Sequence, residues 1–399
     1  MKQTASMIAV YSANIFGVCS ALYELDGMIV VHDPSGCNST YSTHNEPRWY
    51  NQESRIYISG LREVDAVMGN EQKFIDDVEE TAKAQKPRFI VIVNSPVPRL
   101  IGMDLDAIAK IIAHDTGLPV FHIPTDNIFD YVQGISSAFK LFAEHFVTAP
   151  SNKSHHKRPH INVIGITPLD FSWNKSEISI KRWLNEYGFD LQSCWSVGTS
   201  YDELSRSAEA DVSLVVSYGG LAAARLLEER YHIPYVIGVP IGDLKRLLAQ
   251  YLMHAIDTGI SRDVVCGTDA RSAIHGRPVG AIIGESIYSA SLAAALTLES
   301  GVPFRVICPL TTDRRLLMKG DSISGDEESL MRYLPHERSI IADPLYKPII
   351  PNNIPFIPLG HEAFSGRIFR NKIPNLIDHF DEFFQGILDK NRQYQSSVI

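Results

Sequence analysis

The sequence predicts three tandem doubly wound α/β domains, each built on a Rossmann-like parallel sheet. Three segments repeat one plan, in which a short β-branched strand is followed by a turn, a helix and another strand. The chain has 399 residues, which is more than one hydrophobic core usually organises. A polar stretch over residues 151–160, SNKSHHKRPH, interrupts the periodicity and is typical of a linker. We therefore expect domains at residues 1–150, 161–260 and 276–399, the last ending in a helix.

The first domain shows the alternation of strand and helix most clearly. Residues 28–32 and 89–94 are apolar and rich in β-branched side chains, so we expect parallel strands there. Residues 71–85, between them, place apolar side chains at helical spacing. A further strand over residues 120–124 and a helix over residues 131–146 complete the domain.

The second and third domains follow the same order. In the second domain the expected strands are residues 161–165, 213–217 and 235–238, and the expected helices are residues 176–187 and 244–258. In the third domain strands over residues 279–284 and 304–308 flank a helix over residues 288–300. Right-handed crossovers are expected throughout.

Composition argues against several classes of protein. The net charge of −9 gives no electrostatic reason to expect nucleic acid or an anionic membrane as a partner. No apolar run approaches the roughly 18–20 residues of a membrane span, and the N-terminus lacks the features of a signal peptide. The five cysteines are odd in number and scattered, which disfavours a disulfide framework. We expect a protein of the reducing cytoplasm, where thiolates are available to metals.

The sequence lacks the usual nucleotide-binding and hydrolase motifs. It contains no GxGxxG, no GxxxxGK[ST] and no GxSxG segment, and no Ser/His/Asp triad is evident. We therefore expect neither a nicotinamide cofactor nor a nucleotide bound in the usual way.

A cysteine pair near the N-terminus is the best sequence clue to function. Cys37 ends the run VVHDPSGC, a buried strand followed by a Pro/Gly turn, and Gly36 permits a sharp turn with room for a bulky group beside the sulfur. Cys19 lies beside the apolar stripe of a helix predicted over residues 14–25. Both thiols are candidate metal ligands. The alternative, two buried thiols that only pack, stays open.

Polar residues at the expected strand ends form a second group of candidates. In doubly wound sheets, ligands bind in the crevice at the carboxyl ends of the strands. Asn94, Ser95, Arg99 and Arg367 are placed there and are candidate substrate-binding residues. The two arginines suit bidentate binding of substrate carboxylates, or they pair with nearby acidic residues.

His361 is the candidate catalytic residue, because a loop histidine in such a crevice can donate a proton or bind a metal near neutral pH. An ordinary hydrogen-bonded loop histidine is the alternative. Cys194 and Cys308 lie in strand-like runs and are expected in the core, and Cys266 lies in a junction loop.

Several segments together resemble a known family. The runs VVHDPSGCNSTY, VMGNEQKFIDDVEE, RFIVIVNSPVPRLIGMDLDAI and VFHIPTDNIFDYVQGISSAFKLF are similar to the N-terminal domain of nitrogenase component 1 subunits and their relatives. Those relatives include dark-operative protochlorophyllide and chlorophyllide reductases, a cofactor-assembly scaffold and the reductive cyclase of coenzyme F430 synthesis. INVIGI, GTSYDEL and HIPYVIGVPIG continue the similarity in the second domain, and VGAIIGE and IPFIPLGHEAFSGR in the third.

The resemblance implies an iron–sulfur cluster between subunits. In this family three N-terminal cysteines of each subunit hold the cluster, and a separate ATP-hydrolysing iron protein docks and delivers electrons. Cys37 matches the second cysteine and Cys19 falls near the first, whereas the third position corresponds to about Pro96. A [4Fe–4S] cluster usually takes four thiolates. Two Cys19/Cys37 pairs around the twofold axis of a homodimer would supply four, and a heterodimer with a related subunit is the other arrangement.

The resemblance also bears on His361 and on an exposed loop. His361 is displaced by about one position from the histidine that holds the nitrogenase catalytic cofactor, so no iron–molybdenum cofactor is inferred. Residues 41–50, YSTHNEPRWY, have a composition typical of a protein contact beside the cluster. Packing of Trp49 within its own domain is the alternative.

Three functions are weighed on this basis. The first is a nitrogenase-like reductase subunit that reduces a substrate in the interdomain cleft, with ATP bound only by the partner iron protein. The second is a non-catalytic assembly scaffold of the same fold, which the missing third cysteine favours. The third is a small-molecule-binding α/β protein with buried thiols.

Overall fold

The computed structural model describes residues 5–34, 36, 38–125, 129–150, 157–264 and 278–397. It contains three β-sheets whose strands all pair in parallel. The predicted mixed α/β fold with several parallel sheets is therefore confirmed. The residues predicted as linker between the first two sheets lie largely outside the described residues, and the domain boundaries stay a prediction.

The first sheet has the strand order β2-β1-β3-β4. Its central strands are buried along their whole length, as expected of parallel strands covered on both faces. One face packs on a cluster that contains Ile29 and Val31, and the other on a separate cluster that contains Met28 and Val30. The elements are β1 Met28–His32, β2 Ile56–Ile58, β3 Ile90–Asn94 and β4 Val120–Ile123, with helices α1 Asn14–Leu22, α2 Glu63–Met68, α3 Glu71–Gln85, α4 Pro96–Leu100, α5 Leu105–Thr116 and α6 Tyr131–His145.

Helix α1 ends at Leu22, three residues before the predicted end. It packs on α6 at close range, because Gly17 lies against the carbonyl of Tyr131 and Gly134 against the carbonyl of Asn14. A side chain at either glycine would collide with the facing backbone, since a Cβ built there would lie 1.9 Å from the carbonyl oxygen. This contact fixes α1, and with it Cys19, relative to the start of α6.

The second sheet has the order β6-β5-β7-β8-β9. Its elements are β5 His160–Ile164, β6 Asp190–Trp195, β7 Val212–Val215, β8 Tyr235–Ile237 and β9 Arg262–Asp263, with helices α7 Pro168–Phe171, α8 Ser176–Glu186, α9 Tyr201–Ser205, α10 Leu221–Tyr231 and α11 Leu244–Thr258. The edge strand β9 has two residues, too few for a sequence pattern to reveal.

The third sheet has the order β12-β11-β10-β13-β14, which is the Rossmann order 3-2-1-4-5. Its elements are β10 Gly280–Ile283, β11 Phe304–Cys308, β12 Ser322–Ile323, β13 Ile340–Ala342 and β14 Phe356–Pro358, with helices α12 Ser286–Ser300, α13 Glu327–Tyr333, α14 Glu362–Ser365 and α15 Phe380–Ser397. Among the described residues, none of the helices combines the length and apolar character that crossing a bilayer requires.

Each sheet has one point at which the strand order reverses, and the functional candidates are expected near these points. They lie between β1 and β3, between β5 and β7, and between β10 and β13. Loops that leave the two strands at such a point run to opposite sides of the sheet and open a crevice at the carboxyl edge. We call each sheet with its helices a unit. One continuous apolar cluster includes side chains from all three sheets, so the three units pack directly on one another.

Candidate functional site

Cys19, the first predicted ligand, is deeply buried on α1. It is 3% exposed and belongs to the large apolar cluster. Burial, followed by the charge of Glu46, raises the pKa of its thiol to about 12. In the single chain the thiol is therefore protonated at neutral pH. Becoming a metal ligand would require it to lose that proton.

Cys37, the second predicted ligand, lies outside the described residues. Gly36 is described and exposed, and a Cβ built on it would meet none of the described atoms within 4 Å. Tyr41, four residues after Cys37, packs its ring 4.9 Å from that of Phe16 on α1. Tyr41 thus ties the described part of the loop after β1 to α1.

Among the described residues, no other cysteine joins Cys19 in a set of metal ligands. Among the described residues no group of three or more His, Cys, Asp or Glu side chains is placed to hold a metal. Pro96 begins α4 in place of a third cysteine. Cys194 and Cys308 are buried in the second and third sheets, as expected of core residues. Cys266 lies outside the described residues.

The loop predicted as a protein contact divides into a buried part and an exposed part. Arg48 has no exposed surface and pairs with Glu46 and Glu24 at 2.8 and 3.1 Å. Burial opposes the charge of Arg48, but the two carboxylates outweigh it and raise the pKa of the guanidinium. Trp49 and Tyr50, by contrast, are 37% and 70% exposed. Arg48 is thus an internal cation, while the aromatic end of the loop faces solvent.

Exposed apolar side chains occur in the segments that follow β2 and β3, the two neighbours of β1. Strand β1 lies between β2 and β3, and the segments after those two strands lie on either side of the loop after β1. After β2, Val67 and Met68 on α2 are 78% and 76% exposed; after β3, Leu100 at the end of α4 is 83% exposed. The segments that follow both neighbours of β1 therefore carry exposed apolar side chains.

Asn94 and Ser95 end β3 at the same edge. The Asn94 amide donates to the Ser95 carbonyl, and its oxygen accepts from His122 at 3.0 Å and from the Thr125 backbone. Asn94 thus ties β3 to β4. The Ser95 hydroxyl is buried and has no hydrogen-bond partner among the described residues.

The two candidate arginines are on the surface. Arg99 is exposed on α4, and Arg367 is exposed in a short 3₁₀ turn after α14. The carboxylate of Glu362 pairs with Arg370 at 2.5 Å. The structure therefore places Arg99 and Arg367 at separate surface positions, and it gives Glu362 a partner other than Arg367.

His361 meets two side chains from the other units. Tyr131 begins α6 after the first sheet, and its hydroxyl donates to Oδ1 of Asp170 at 2.5 Å. Asp170 lies on α7 after β5 of the second sheet. Nε2 of His361, at the N-terminus of α14 after β14, lies 3.6 Å from the same oxygen and 3.5 Å from the Tyr131 hydroxyl. We refer to Tyr131, Asp170 and His361 as the junction triad.

Several buried acidic groups surround the junction triad. Asp343 accepts from the His361 backbone N–H at 2.6 Å and from the Ser365 hydroxyl at 2.8 Å. Glu285 caps α12 and accepts from the Tyr218 backbone of the second unit. Burial, followed by the charge of Asp170, raises the pKa of Glu285 to about 7, so this carboxyl binds a proton more readily than an exposed glutamate.

A cleft of about 450 Å³ opens beside the junction triad between the first and third units. Asp130 and Phe364 line it, and the Phe364 ring packs 4.5 Å from that of His361. The described lining residues are mostly apolar, and the charged ones among them are Asp130 and Glu327. The Glu327 carboxylate accepts a hydrogen bond from the backbone N–H of Ser6 at 2.7 Å and so connects the N-terminal segment to α13.

The sequence pointed to His361 but missed Tyr131 and Asp170 as members of its site. For each of these two residues the sequence contains a local signal, a helix start that follows a strand. Asp130-Tyr131 begins a helix after an edge strand, and Thr167-Pro168-Leu169-Asp170 begins one directly after a buried strand. Such positions lie at the carboxyl edge of a sheet, where ligands bind.

Comparison with known proteins places the chain among nitrogenase-type sequences. The family model described as nitrogenase component 1 type oxidoreductase matches residues 15–248. The nitrogenase iron-molybdenum cofactor biosynthesis protein NifE of Clostridium pasteurianum is 24% identical over 58% of this chain and 51% of its own length. A subunit of the light-independent protochlorophyllide reductase of Prosthecochloris aestuarii is 26% identical over 53% of this chain and 39% of its own length.

One further relative and one solved structure extend the match. The corresponding subunit of the light-independent protochlorophyllide reductase of Nostoc punctiforme is 20% identical over 80% of this chain and 73% of its own length. The solved structure named "Nitrogenase Cp1 at pH 5" superimposes with a TM-score of 0.65 at 15% identity, covering 97% of this chain and 90% of that one. The chain matches about half of the NifE protein and less of the first reductase subunit, whereas the likeness of fold covers nearly all of it.

Proposed function

Because this chain belongs to the nitrogenase component 1 type oxidoreductases, we propose that it is one subunit of a nitrogenase-like reductase. It accepts low-potential electrons from an ATP-hydrolysing iron protein. A [4Fe–4S] cluster at an interface between two chains receives them, and a substrate is reduced in the cleft between the units. ATP is bound by the iron protein and no nicotinamide takes part.

The observation that carries this proposal is the apolar edge of the first sheet. Val67, Met68 and Leu100 are exposed in the segments that follow β2 and β3, the two neighbours of the strand that precedes Cys37 in the chain. Apolar side chains grouped in this way are typical of a surface that a second protein covers. Covering this edge would also exclude water from the loop, which a low-potential cluster needs.

Cys19 and Cys37 are the residues that would hold the cluster. Two thiols from each of two chains give the four ligands of a [4Fe–4S] centre, so a homodimer suffices and a related component 1 subunit can take the place of the second copy. When bound, the cluster would supply single electrons at low potential. Gly36 leaves open space beside the loop for such a group.

The remaining candidates act on the substrate side. His361 is the proposed catalytic residue, since it faces the other units at the carboxyl edge of the third sheet. Asn94, Ser95, Arg99 and Arg367 are the proposed substrate-binding residues. The unpaired buried hydroxyl of Ser95 supports its inclusion. Three domains and a cytoplasmic location are part of the same proposal.

A non-catalytic assembly scaffold of the same fold is the second candidate. The observation in its favour is Pro96, which begins α4 where the resemblance puts a third cysteine. A subunit with fewer thiolates holds a cluster less firmly and suits transfer of a bound group. ATP-dependent oxidation of a cognate iron protein separates the two, because only the reductase takes up electrons from it repeatedly.

The proposal is tested on protein purified without oxygen. We expect iron and sulfide in roughly the ratio of one [4Fe–4S] per two chains, and a paramagnetic signal after dithionite reduction. Cys19→Ala and Cys37→Ala should each lose the iron, and Cys194→Ala, which removes another buried thiol, should keep it. Wild-type protein free of iron, or a Cys37→Ala protein with an unchanged spectrum, would show that the assignment is wrong.

Association is tested on the same preparations by light scattering after gel filtration. Met68→Glu and Leu100→Glu should convert the dimer to a monomer and release the iron. Ile178→Glu is the matched control, because Ile178 is an exposed apolar residue away from the first sheet, 53% exposed on helix α8 beside the second sheet. If all three variants keep the wild-type mass, this edge is not the interface.

A further inference from the structure

We propose that the junction triad is a proton-delivery site, in which His361 gives protons to the substrate and Asp170, held by Tyr131, positions it. This inference rests on the proposed function, since it concerns the protons that accompany the delivered electrons. It adds two residues, from two other units, to the single histidine that the sequence indicated.

The convergence of the triad is the first argument. Tyr131, Asp170 and His361 follow three different sheets, and each lies at the carboxyl edge of its own sheet. Their polar atoms lie within 3.6 Å of one another. Three units that pack mainly through apolar side chains thus bring three polar groups together at one buried point beside the cleft.

Two unpaired atoms are the second argument. Oδ2 of Asp170 and Nδ1 of His361 are both buried, and neither has a hydrogen-bond partner among the described residues. Buried polar atoms are almost always paired, so two unpaired ones in the same triad indicate that another polar group binds here. Because Nε2 of His361 lies toward Asp170, the proposal assigns proton transfer to the unpaired Nδ1.

The backbone close to the triad contains a strained residue. Ser172, two residues after Asp170, has φ 59° and ψ −167°, a conformation that residues other than glycine rarely adopt. Its hydroxyl donates to Glu362, the residue after His361, at 3.3 Å. Strain of this kind persists where the surroundings fix the backbone, and here it links the segment of Asp170 to that of His361.

The charges facing the triad are mostly acidic. Asp343, Glu285 and Glu362 all approach it from the third unit, and Arg370 pairs with Glu362. The Tyr131 hydroxyl donates a hydrogen bond to Asp170. Burial and the Asp170 charge keep the pKa of this hydroxyl well above its usual value. Tyr131 therefore stays protonated and orients the carboxylate.

The proposed step is a proton transfer. After the substrate has taken up electrons from the cluster, the Nδ1–H bond of protonated His361 breaks, the proton bonds to the reduced substrate atom, and the nitrogen keeps the electron pair. His361, whose side chain is 13% exposed, then regains a proton from water. Two such cycles supply the two protons that accompany each electron pair.

The first test needs no substrate and no cluster. In the neutral state left after transfer, the remaining ring proton should be on Nε2, facing Asp170. Two-bond ¹H–¹⁵N correlation spectra of histidine-labelled full-length protein report this, with His361→Gln used to assign the signal. Asp170→Asn should shift the tautomer toward Nδ1–H, and His114→Asn, which changes an exposed histidine, should not. A wild-type His361 with its proton on Nδ1 would overturn the proposal.

The second test uses the proton itself as the electron acceptor, because two electrons and two protons give dihydrogen. With the iron protein, ATP and dithionite, His361→Gln and Asp170→Asn should evolve dihydrogen at least 100-fold more slowly than wild type. Asp170→Glu should recover part of the rate, and His114→Asn should keep all of it.

Oxidation of the iron protein in the first turnover should be unchanged in every variant. If His361→Gln evolves dihydrogen at the wild-type rate, the proton-delivery role is wrong. If wild type evolves none, the tautomer measurement decides the role. If wild type does not oxidise the iron protein, the proposed function itself fails.

Discussion

Arg48 and Glu46 form an ion pair in which neither side chain has exposed surface, with 2.8 Å between Nη2 and Oε1. The guanidinium also donates to the carbonyls of Ser20 on α1 and of Ser196 in the second unit. All of these bonds come from a loop that leaves the carboxyl edge of the first sheet. The pair therefore joins this loop to α1, the helix of Cys19, and to the second unit.

Replacing Arg48 with Met should lower the free energy of unfolding by about 3–5 kcal/mol, because Glu46 and Glu24 would be left buried without a cation. Urea unfolding followed by circular dichroism measures the change. Arg332→Met, which breaks an exposed ion pair with Glu328, should change stability by less than about 1 kcal/mol. Equal effects of the two substitutions would contradict the buried network.

Tyr131→Phe should destabilise the protein by roughly 2–3 kcal/mol, because the buried Asp170 carboxylate loses its hydrogen-bond donor. Thermal unfolding of the variant beside Tyr50→Phe is the measurement. Tyr50 is 70% exposed, so its change should stay within about 0.5 kcal/mol. A Tyr131→Phe protein as stable as wild type would show that the hydroxyl does not stabilise the junction.

His32 should make the protein less stable in mild acid. Burial lowers the pKa of its ring to about 4 from 6.5. Between those values the unfolded chain binds a proton that the folded chain does not, so stability is complete above pH 6.5 and falls as the pH drops toward 4. The loss amounts to about 3 kcal/mol.

Urea titrations of wild type and His32→Asn at several pH values measure this loss. The difference in unfolding free energy between them should shrink by that amount from pH 8 to pH 4. His114→Asn should leave the pH dependence unchanged, because His114 has 87% of its side chain exposed. A constant difference between wild type and His32→Asn would contradict the prediction.

Gly134→Ala should destabilise the protein by about 1–3 kcal/mol or more, because the new methyl group would collide with the Asn14 carbonyl and force α1 away from α6. Gly386→Ala is the matched control in α15, where a Cβ meets no described atom within 4 Å. Helix propensity predicts that the control gains up to about 1 kcal/mol. Thermal unfolding that ranks the two variants in the opposite order would rule out this close packing.

Prediction of the fold succeeded where a local pattern was long. The helices Glu71–Gln85 and Leu244–Thr258 and the strand Phe304–Cys308 begin and end where the sequence placed them. The strands Ile56–Ile58 and Arg262–Asp263 were missed, since two or three residues carry no periodic signal. They lie at sheet edges, where pairing with a neighbouring strand decides their conformation.

The sequence did not reveal how residues 41–50 are arranged, because a composition pattern does not tell which side of a loop faces inward. Residues 41–50 were interpreted as one contact surface, but Arg48 is buried and Tyr50 is exposed. The sequence analysis also did not find the junction triad, because its members are far apart in the chain. Tyr131 lies 39 residues from Asp170 and 230 from His361, so no local motif contains any two of them.

The sequence by itself determined the parallel α/β fold, because runs of β-branched residues and apolar helical stripes are local properties of the chain. The family followed from the resemblance of its motifs, in their order, to those of known members. It also marked His361 and the thiols of Cys19 and Cys37 as candidates by their place at strand and helix ends. Only the tertiary structure decided that Tyr131 and Asp170 join His361, and that Arg48 turns inward. Those contacts form when three sheets pack their apolar faces together, and that packing depends on side chains distant in the chain.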